Sequence, residues 1–387
     1  MAVVVLCLRG APRMPAQSQT ETSPTAHASP LIPRTADERE QRFRAQHRFE
    51  LTVQVADAAG RPASNLHAAD FTVLDNEQAR IVTSFQSAAS DSSGSTATIL
   101  LVLDTVNSST RQLQSFARTI EQVLRAEDST LAYPVSIGVL YGSSIDVDAP
   151  TSDRSILLGN LKVRAARLRS TGCVESEQQL EAPRVPWLVG IGTVHGLSPD
   201  ALDCMNQRFI SSVTALTMFA SEHADGTGPL LVLWFGPGWP LLTNREFRAD
   251  SQDLARNFFT QLVGISTALR EAHITIDALA SPDNSPEPEQ RDTRDVAFFA
   301  GVSDENEARA GNLGLHALAH QTGGRILSSV WKLGDQIHTC MADADSYYRL
   351  SFDFPPAANY GEFHALAVKV DRPGFTVRTT PFYYAEQ

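Results

Sequence analysis

The chain has 387 residues, 42% of them hydrophobic and 20% charged, and at about 150 residues per domain it has room for two or three folded units. That balance, with 21 Pro and 23 Gly spread along the sequence, excludes a wholly disordered, collagen-like or coiled-coil protein. Forty-four acidic against 32 basic residues give a net charge of −12, which repels a phosphate backbone and removes nucleic acid from the expected partners.

At the start, Ala2 to Leu8 is apolar but far short of the ~20 residues a membrane-spanning helix needs. It lacks a basic residue ahead of it and is followed by Arg9, Arg13 and Pro15-Ala16-Gln17. Residues 1–16 read as a clipped or mis-started secretory signal, so a secreted or periplasmic, cell-envelope location is expected; a frayed terminus is the alternative. Residues 17–46 are rich in Ser, Thr, Pro and Gln and read as a tail that cannot repay the entropy of ordering.

From 47 to 88 the pattern is β. Phe49, Leu51, Val53 and Val55 alternate with Glu50, Thr52 and Gln54, the period of a half-buried strand. Phe71 to Leu74 and Ala79 to Phe85 form two more strands around Asp75-Asn76-Glu77-Gln78, a tight-turn sequence. A Ser-rich linker precedes residues 97–344, where apolar runs at Ile99 to Leu103, Val135 to Leu140, Leu230 to Phe235 and Ile274 to Leu279 alternate with amphipathic helical stretches. Those stretches carry Leu113, Phe116, Ile120, Val123 and Leu124; then Ile210, Val213, Leu216 and Ala220; then Leu254, Phe258, Leu262, Ile265 and Leu269. Such alternation predicts an α/β doubly wound, mostly parallel sheet. Residues 345–387 return to β, and their strands are expected to pack with 47–88 into a β-sandwich that the α/β block interrupts.

Residues 169–198 form an unusually long irregular stretch. Cys173 and Cys204 flank it and would staple it in an oxidising compartment, but Cys340 is equally free to pair and buried reduced thiols are common. With no CxxC among the four cysteines, structural zinc is not expected.

In doubly wound folds ligands sit beyond the carboxyl ends of the strands. There the first run is followed by Asp104-Thr105-Val106-Asn107-Ser108, which resembles the first metal-binding loop, Asp-x-Ser-x-Ser, of the von Willebrand factor type A domain. Gln321-Thr322-Gly323-Gly324 resembles the end of that fold's penultimate helix. More broadly, Gly60-Arg61-Pro62, Asp70 to Asp75, Leu101 to Asp104 and the ending from Tyr348 through Phe363 to Tyr384 resemble the bacterial "VWFA-related" proteins often found in Acidobacteria. The match runs over about residues 48–385.

The resemblance implies a divalent-cation site of oxygen donors, from which this sequence departs. Asp104 and Ser108 are in place, but Val106 stands where a hydroxyl belongs, Trp234-Phe235-Gly236 replaces the acidic third loop, and Ile210 falls about where a threonine is wanted. The expectation is a degenerate, metal-free site with no cofactor, the alternative being a functional Mg²⁺ or Mn²⁺ adhesion site. Asp104 then caps the helix at Ser109-Thr110 or binds backbone amides at the strand end. Asp104, Thr105, Asn107, Ser108, Gly236, Pro237, Trp239 and Trp187 are the candidate contacts for a protein or peptide partner.

Catalysis finds little support. His316 and His320 have metal-ligand spacing but no adjacent Glu, and His338 is the only other histidine nearby. Gly142-Ser143-Ser144 is not a nucleophile elbow, which leaves a cryptic hydrolase using Ser143 or His320 as a remote alternative. The expected function is a non-enzymatic interaction module.

Overall fold

A computed structural model describes residues 48–63, 65–88, 97–174, 199–224, 228–240, 251–279, 296–327, 332–344, 347–355 and 357–385. The N-terminal expectations for 1–46 and the candidate contact Trp187 lie outside the described residues.

The chain begins with β1 (Arg48–Ala56), whose odd-numbered apolar residues are all buried. Next come β2 (Phe71–Asp75), β3 (Gln78–Arg80) and β4 (Val82–Ser87). Asn76 and Glu77 both have positive φ, the conformation of a two-residue hairpin turn matched to strand twist. The single strand expected over 79–85 is divided at Ile81. Its side chain is 84% exposed, and there the chain steps from one sheet to the other.

The α/β block comprises β5 (Thr98–Asp104), α1 (Thr110–Ala126), β6 (Thr130–Tyr141), β7 (Ser144–Val147), β8 (Thr151–Asp153), α2 (Arg154–Ala165), α3 (Pro199–Glu222), β9 (Leu230–Phe235), α4 (Ser251–Glu271), β10 (Ile274–Leu279), α5 (Leu315–Gln321), β11 (Ile326–Leu327) and α6 (Leu333–Asp343). Its sheet runs β11-β10-β9-β5-β6-β7. β7 and β8 are antiparallel to β6, and the other pairings are parallel. One face packs on α3, α4 and α5, the other on α1, α2 and α6. The strand order reverses between β5 and β9, the switch point at which such folds open a crevice. On α3 the inward stripe is Phe209, Val213, Leu216 and Ala220; Ile210, expected in it, is 54% exposed.

The chain then returns to β12 (Tyr347–Asp353), β13 (Glu362–Val370), β14 (Thr376–Arg378) and β15 (Phe382–Ala385). Two four-stranded sheets result, β14-β1-β12-β4 and β15-β13-β2-β3. They share a core of Phe49, Leu51, Val53, Phe71, Val73, Leu350, Phe352 and Leu366. Tyr348 crosses that core to donate from its hydroxyl to the Ala63 carbonyl at 2.8 Å. β4 and β12 are antiparallel neighbours, with Ser87 opposite Tyr348, so the whole α/β block leaves and rejoins the sandwich at adjacent strands.

Polar contacts lock the two layers together. Arg378 of β14 and Arg325 both bind the Asp343 carboxylate of α6, Arg325 at 2.7 and 2.8 Å. The Arg325 amide donates to Asp277 of β10 at 2.6 Å. Gly324 makes this approach feasible, because a Cβ there would stand 1.9 Å from the Ile276 carbonyl oxygen. Asp277 and Cys340 face each other in this buried cluster, and burial pushes both the carboxyl and the thiol up.

A carboxyl whose folded-state value lies above its unfolded value contributes stability that is whole below about pH 3.9 and is lost as pH rises through the folded value. The substitution Asp277→Asn keeps an oxygen for the Arg325 amide and removes that titration. Chemical denaturation from pH 4 to 8 should therefore show a shallower fall in stability than wild type, with D277N the more stable protein at pH 7; parallel pH profiles would refute this account.

Candidate functional site

β5 delivers Asp104 to the carboxyl edge of the sheet beside the switch point, where it is fully buried. A buried carboxylate needs hydrogen-bond donors on both oxygens, and the surrounding chain supplies them. Oδ1 accepts from the amides of Val106 at 3.1 Å and Asn107 at 2.9 Å. The Asn107 side-chain amide spans both oxygens at 3.1 and 2.9 Å. The indole of Trp234, on β9, donates to Oδ2 at 3.1 Å. Burial pushes the Asp104 carboxyl up, while the bonds from Asn107 and Trp234 and the positive Arg208 pull it down.

The Asn107 amide is itself oriented. Its nitrogen also donates to Ser212 Oγ at 2.8 Å, and its oxygen accepts from Arg208 Nε at 3.2 Å. Two hydrogens on that nitrogen serve three acceptors, so one is shared across the carboxylate. Gly236 closes the site from above, since a Cβ on it would lie 2.7 Å from Asp104 Cβ.

The neighbouring candidates divide by direction. Thr105 turns away, its hydroxyl bonded to the Leu140 carbonyl and paired with Thr171 at 2.7 Å. Ser108 is buried, and its oxygen finds no partner among the described residues. Ser109, and not Asp104, caps α1: its hydroxyl accepts from the Gln112 amide at 3.3 Å while its own amide donates to the Gln112 side chain at 2.8 Å. Of the two roles open to Asp104, binding backbone amides at the strand end is the one observed.

As a ready-made contact surface the candidate set needs correction. Asp104, Thr105, Asn107, Ser108, Gly236 and Trp239 are all buried, and Pro237 alone among the described candidates is partly exposed. Trp239 points inward, donating from its indole to the Leu313 carbonyl at 2.9 Å and lying edge-on to Trp234 with centroids 5.8 Å apart. The positive φ of Gly238 turns the chain to let it do so. Both indoles are buried beside the switch point.

The same geometry tests the cation that the resemblance implies. The site offers one carboxylate, already ringed by N–H groups, with Arg208 contributing positive charge behind it and Val106 where a donor oxygen belongs. A hard divalent ion wants several oxygen ligands and negative charge, whereas the oxygens here are the hydrogen-bonded Asp104 carboxylate and the Ser108 hydroxyl, unpaired among the described residues. Among the described residues no group of three or more His, Cys, Asp or Glu side chains is arranged to hold a metal.

Other candidates are scattered. Ser143 lies in the turn between β6 and β7, and His320 stacks on Phe299 at 4.6 Å, where burial lowers its pKa. His338 pairs with Glu127 at 3.1 Å. Cys173 and Cys204 are joined in a disulfide, and Cys340 is a buried free thiol. Arg208 and Ser212 went unnoticed in the sequence; the signal was an arginine on the same helical face as Cys204, Ser211, Ser212 and Ala215.

No family model matches the chain, and no curated protein matches it. Among solved structures it is similar to the human COPII-coat protein Sec24c (10% identity, 76% of this chain and 44% of that one, TM-score 0.29). Two others are the manganese-loaded Plasmodium vivax TRAP protein (8%, 80% and 97%, 0.31) and mussel byssus proximal thread matrix protein 1 with a zinc-occupied MIDAS motif (11%, 67% and 47%, 0.27). The chain spans less than half the length of Sec24c and of the thread matrix protein. At TM-scores below 0.5 these likenesses decide nothing about the chain, whose architecture stands on its own strand order.

A double-mutant cycle checks the network. Trp234→Phe alone should destabilise by about 1–3 kcal/mol through the lost donor to a buried carboxylate. Combined with Asp104→Asn, the two effects should fall short of additivity by about 1 kcal/mol or more, as measured by urea denaturation; strict additivity would show that the indole bond contributes nothing.

Proposed function

We propose that the chain is a non-enzymatic, exported protein-interaction module: a type A-like α/β domain, with a metal-free switch-point site, carried on a β-sandwich of the VWFA-related kind. The observation that carries the reading is the environment of Asp104. Both carboxylate oxygens of Asp104 accept hydrogen bonds from Val106, Asn107 or Trp234, so a metal bound to them would have to displace protein donors and leave those donors buried and unpaired.

Further features support the parts of this reading. Parallel strands with a reversal beside Asp104, and Thr322-Gly323-Gly324 after α5, agree with the type A resemblance. Among the described residues, Ser143 in a hairpin turn and His320 stacked on Phe299 are not hydrogen-bonded to each other as a hydrolase's nucleophile and base would be. The Cys173–Cys204 disulfide suits an oxidising compartment. Among the described residues no helix is long and apolar enough to cross a membrane.

Thermal melting with Mg²⁺ or Mn²⁺ tests the metal-free reading, because a cation at about 100 times its dissociation constant stabilises the folded state by about 2.7 kcal/mol. Melting temperature should not change on adding either ion or EDTA, and titration calorimetry should register no binding heat. A saturable stabilisation that disappears in Asp104→Asn would instead establish the cation-dependent alternative.

A further inference from the structure

Two neighbouring segments of the α/β block, α1 and residues 154–173, carry charge opposite to that of the chain as a whole. Residues 154–173 contain Arg154, Lys162, Arg164, Arg167 and Arg169 and no acidic residue, and α1 carries Arg111, Arg118 and Arg125 against Glu121 alone, in a chain of net charge −12. α1 and α2 lie antiparallel: Arg154 donates to the Glu127 carbonyl at one end, and the Ser170 amide donates to Thr110 Oγ1 at 3.0 Å at the other.

Several of these charges are already engaged. Arg164 binds Asp146 and Asp148, Arg125 binds Glu121, and Asp153 caps α2. Arg111, Arg118, Lys162, Arg167 and Arg169 are exposed, and among the described residues no carboxylate pairs with any of them. The bonds from the Thr171 amide to the Thr105 carbonyl at 2.8 Å and from the Ser170 amide to Thr110 hold the backbone next to Arg169 and Arg111 near the loop that starts at Asp104.

We infer that the exposed basic side chains of α1 and of the stretch from Lys162 to Arg169 dock a short, carboxylate-rich peptide segment of a partner protein. The inference rests on the interaction-module reading and moves the contact from the buried switch-point site to the adjoining helices. Charge complementarity selects the occupant, since exposed arginines present planar donor pairs that match carboxylates. Extent favours a short segment: the exposed arginines of α1 that pair with no carboxylate among the described residues run from Arg111 to Arg118, about 10 Å of helix that about three extended residues cover. A longer polyanion such as a nucleic acid would overrun onto the acidic remainder of the molecule.

The test is fluorescence anisotropy of the full chain with a labelled oligoglutamate peptide of about eight residues, at about 50 and about 300 mM NaCl. Wild type should bind at low salt, and R111E/R167E/R169E should bind at least about tenfold more weakly, while the exposed control K369E matches wild type. R167Q/R169Q, a milder change read alongside melting temperature, should weaken binding in the same direction. Equal binding by wild type and both patch variants overturns the inference. So does tighter, patch-dependent binding of duplex DNA, or patch-dependent self-association in place of peptide binding, which would assign the face to nucleic acid or to a second copy. Peptide binding that rises in E175Q/E177Q/E181Q would assign it to the chain's own acids. Patch-dependent peptide binding in a protein that also gains stability from Mn²⁺ would sink the metal-free reading and leave this one standing.

Discussion

A carboxylate buried at the reversal point of a parallel sheet constrains everything placed around it. With water excluded, Asp104 must be met by donors, and this chain meets it with two backbone amides, a side-chain amide and an indole. The rest follows in sequence. Asn107 is turned inward and held by Arg208 and Ser212, Trp234 is drawn to the end of β9, and Gly236 must lack a Cβ. The crevice that this topology leaves open for ligands is lined here by buried side chains, Asp104, Trp234 and Trp239 among them.

Much of this architecture was legible in residue patterns because the signals are long and redundant. Continuous apolar runs located β5, β9 and β10 nearly to the residue and the second half of β6, a strand that begins five residues earlier at Thr130, and the alternation in Phe49 to Val55 and around Phe352 marked the sandwich. What patterns could not show depends on contacts distant in sequence. Ile81 fits a strand by propensity, yet the chain must change sheets there, and only the pairing of β4 with β12 reveals it. Ile210 looks like a stripe residue until the rotation of α3 is set by Phe209 and Val213.

The site was legible in part for the same reason. That Val106 and Trp234 carry no oxygen able to ligate a cation can be read from residue type, whereas the hydrogen-bond network around Asp104 cannot. Arg208 and Ser212 lie about 100 positions from Asn107, and nothing local links them. Trp239 between prolines suggested exposure, but the positive φ of Gly238 folds the indole inward to the Leu313 carbonyl. Short loops around glycine and proline defeat periodicity arguments because a single dihedral decides the direction of a side chain.

The attachment of the α/β block to the sandwich has an architectural consequence. β4 and β12 pair in antiparallel register with Ser87 facing Tyr348, the arrangement two strands adopt on either side of a hairpin turn. The entire central region thus stands in place of such a turn, and the core shared by the two host sheets is built from residues on either side of it. A chain built this way can acquire, enlarge or exchange its central region as a cassette, while the host strands keep the register that joins its two ends.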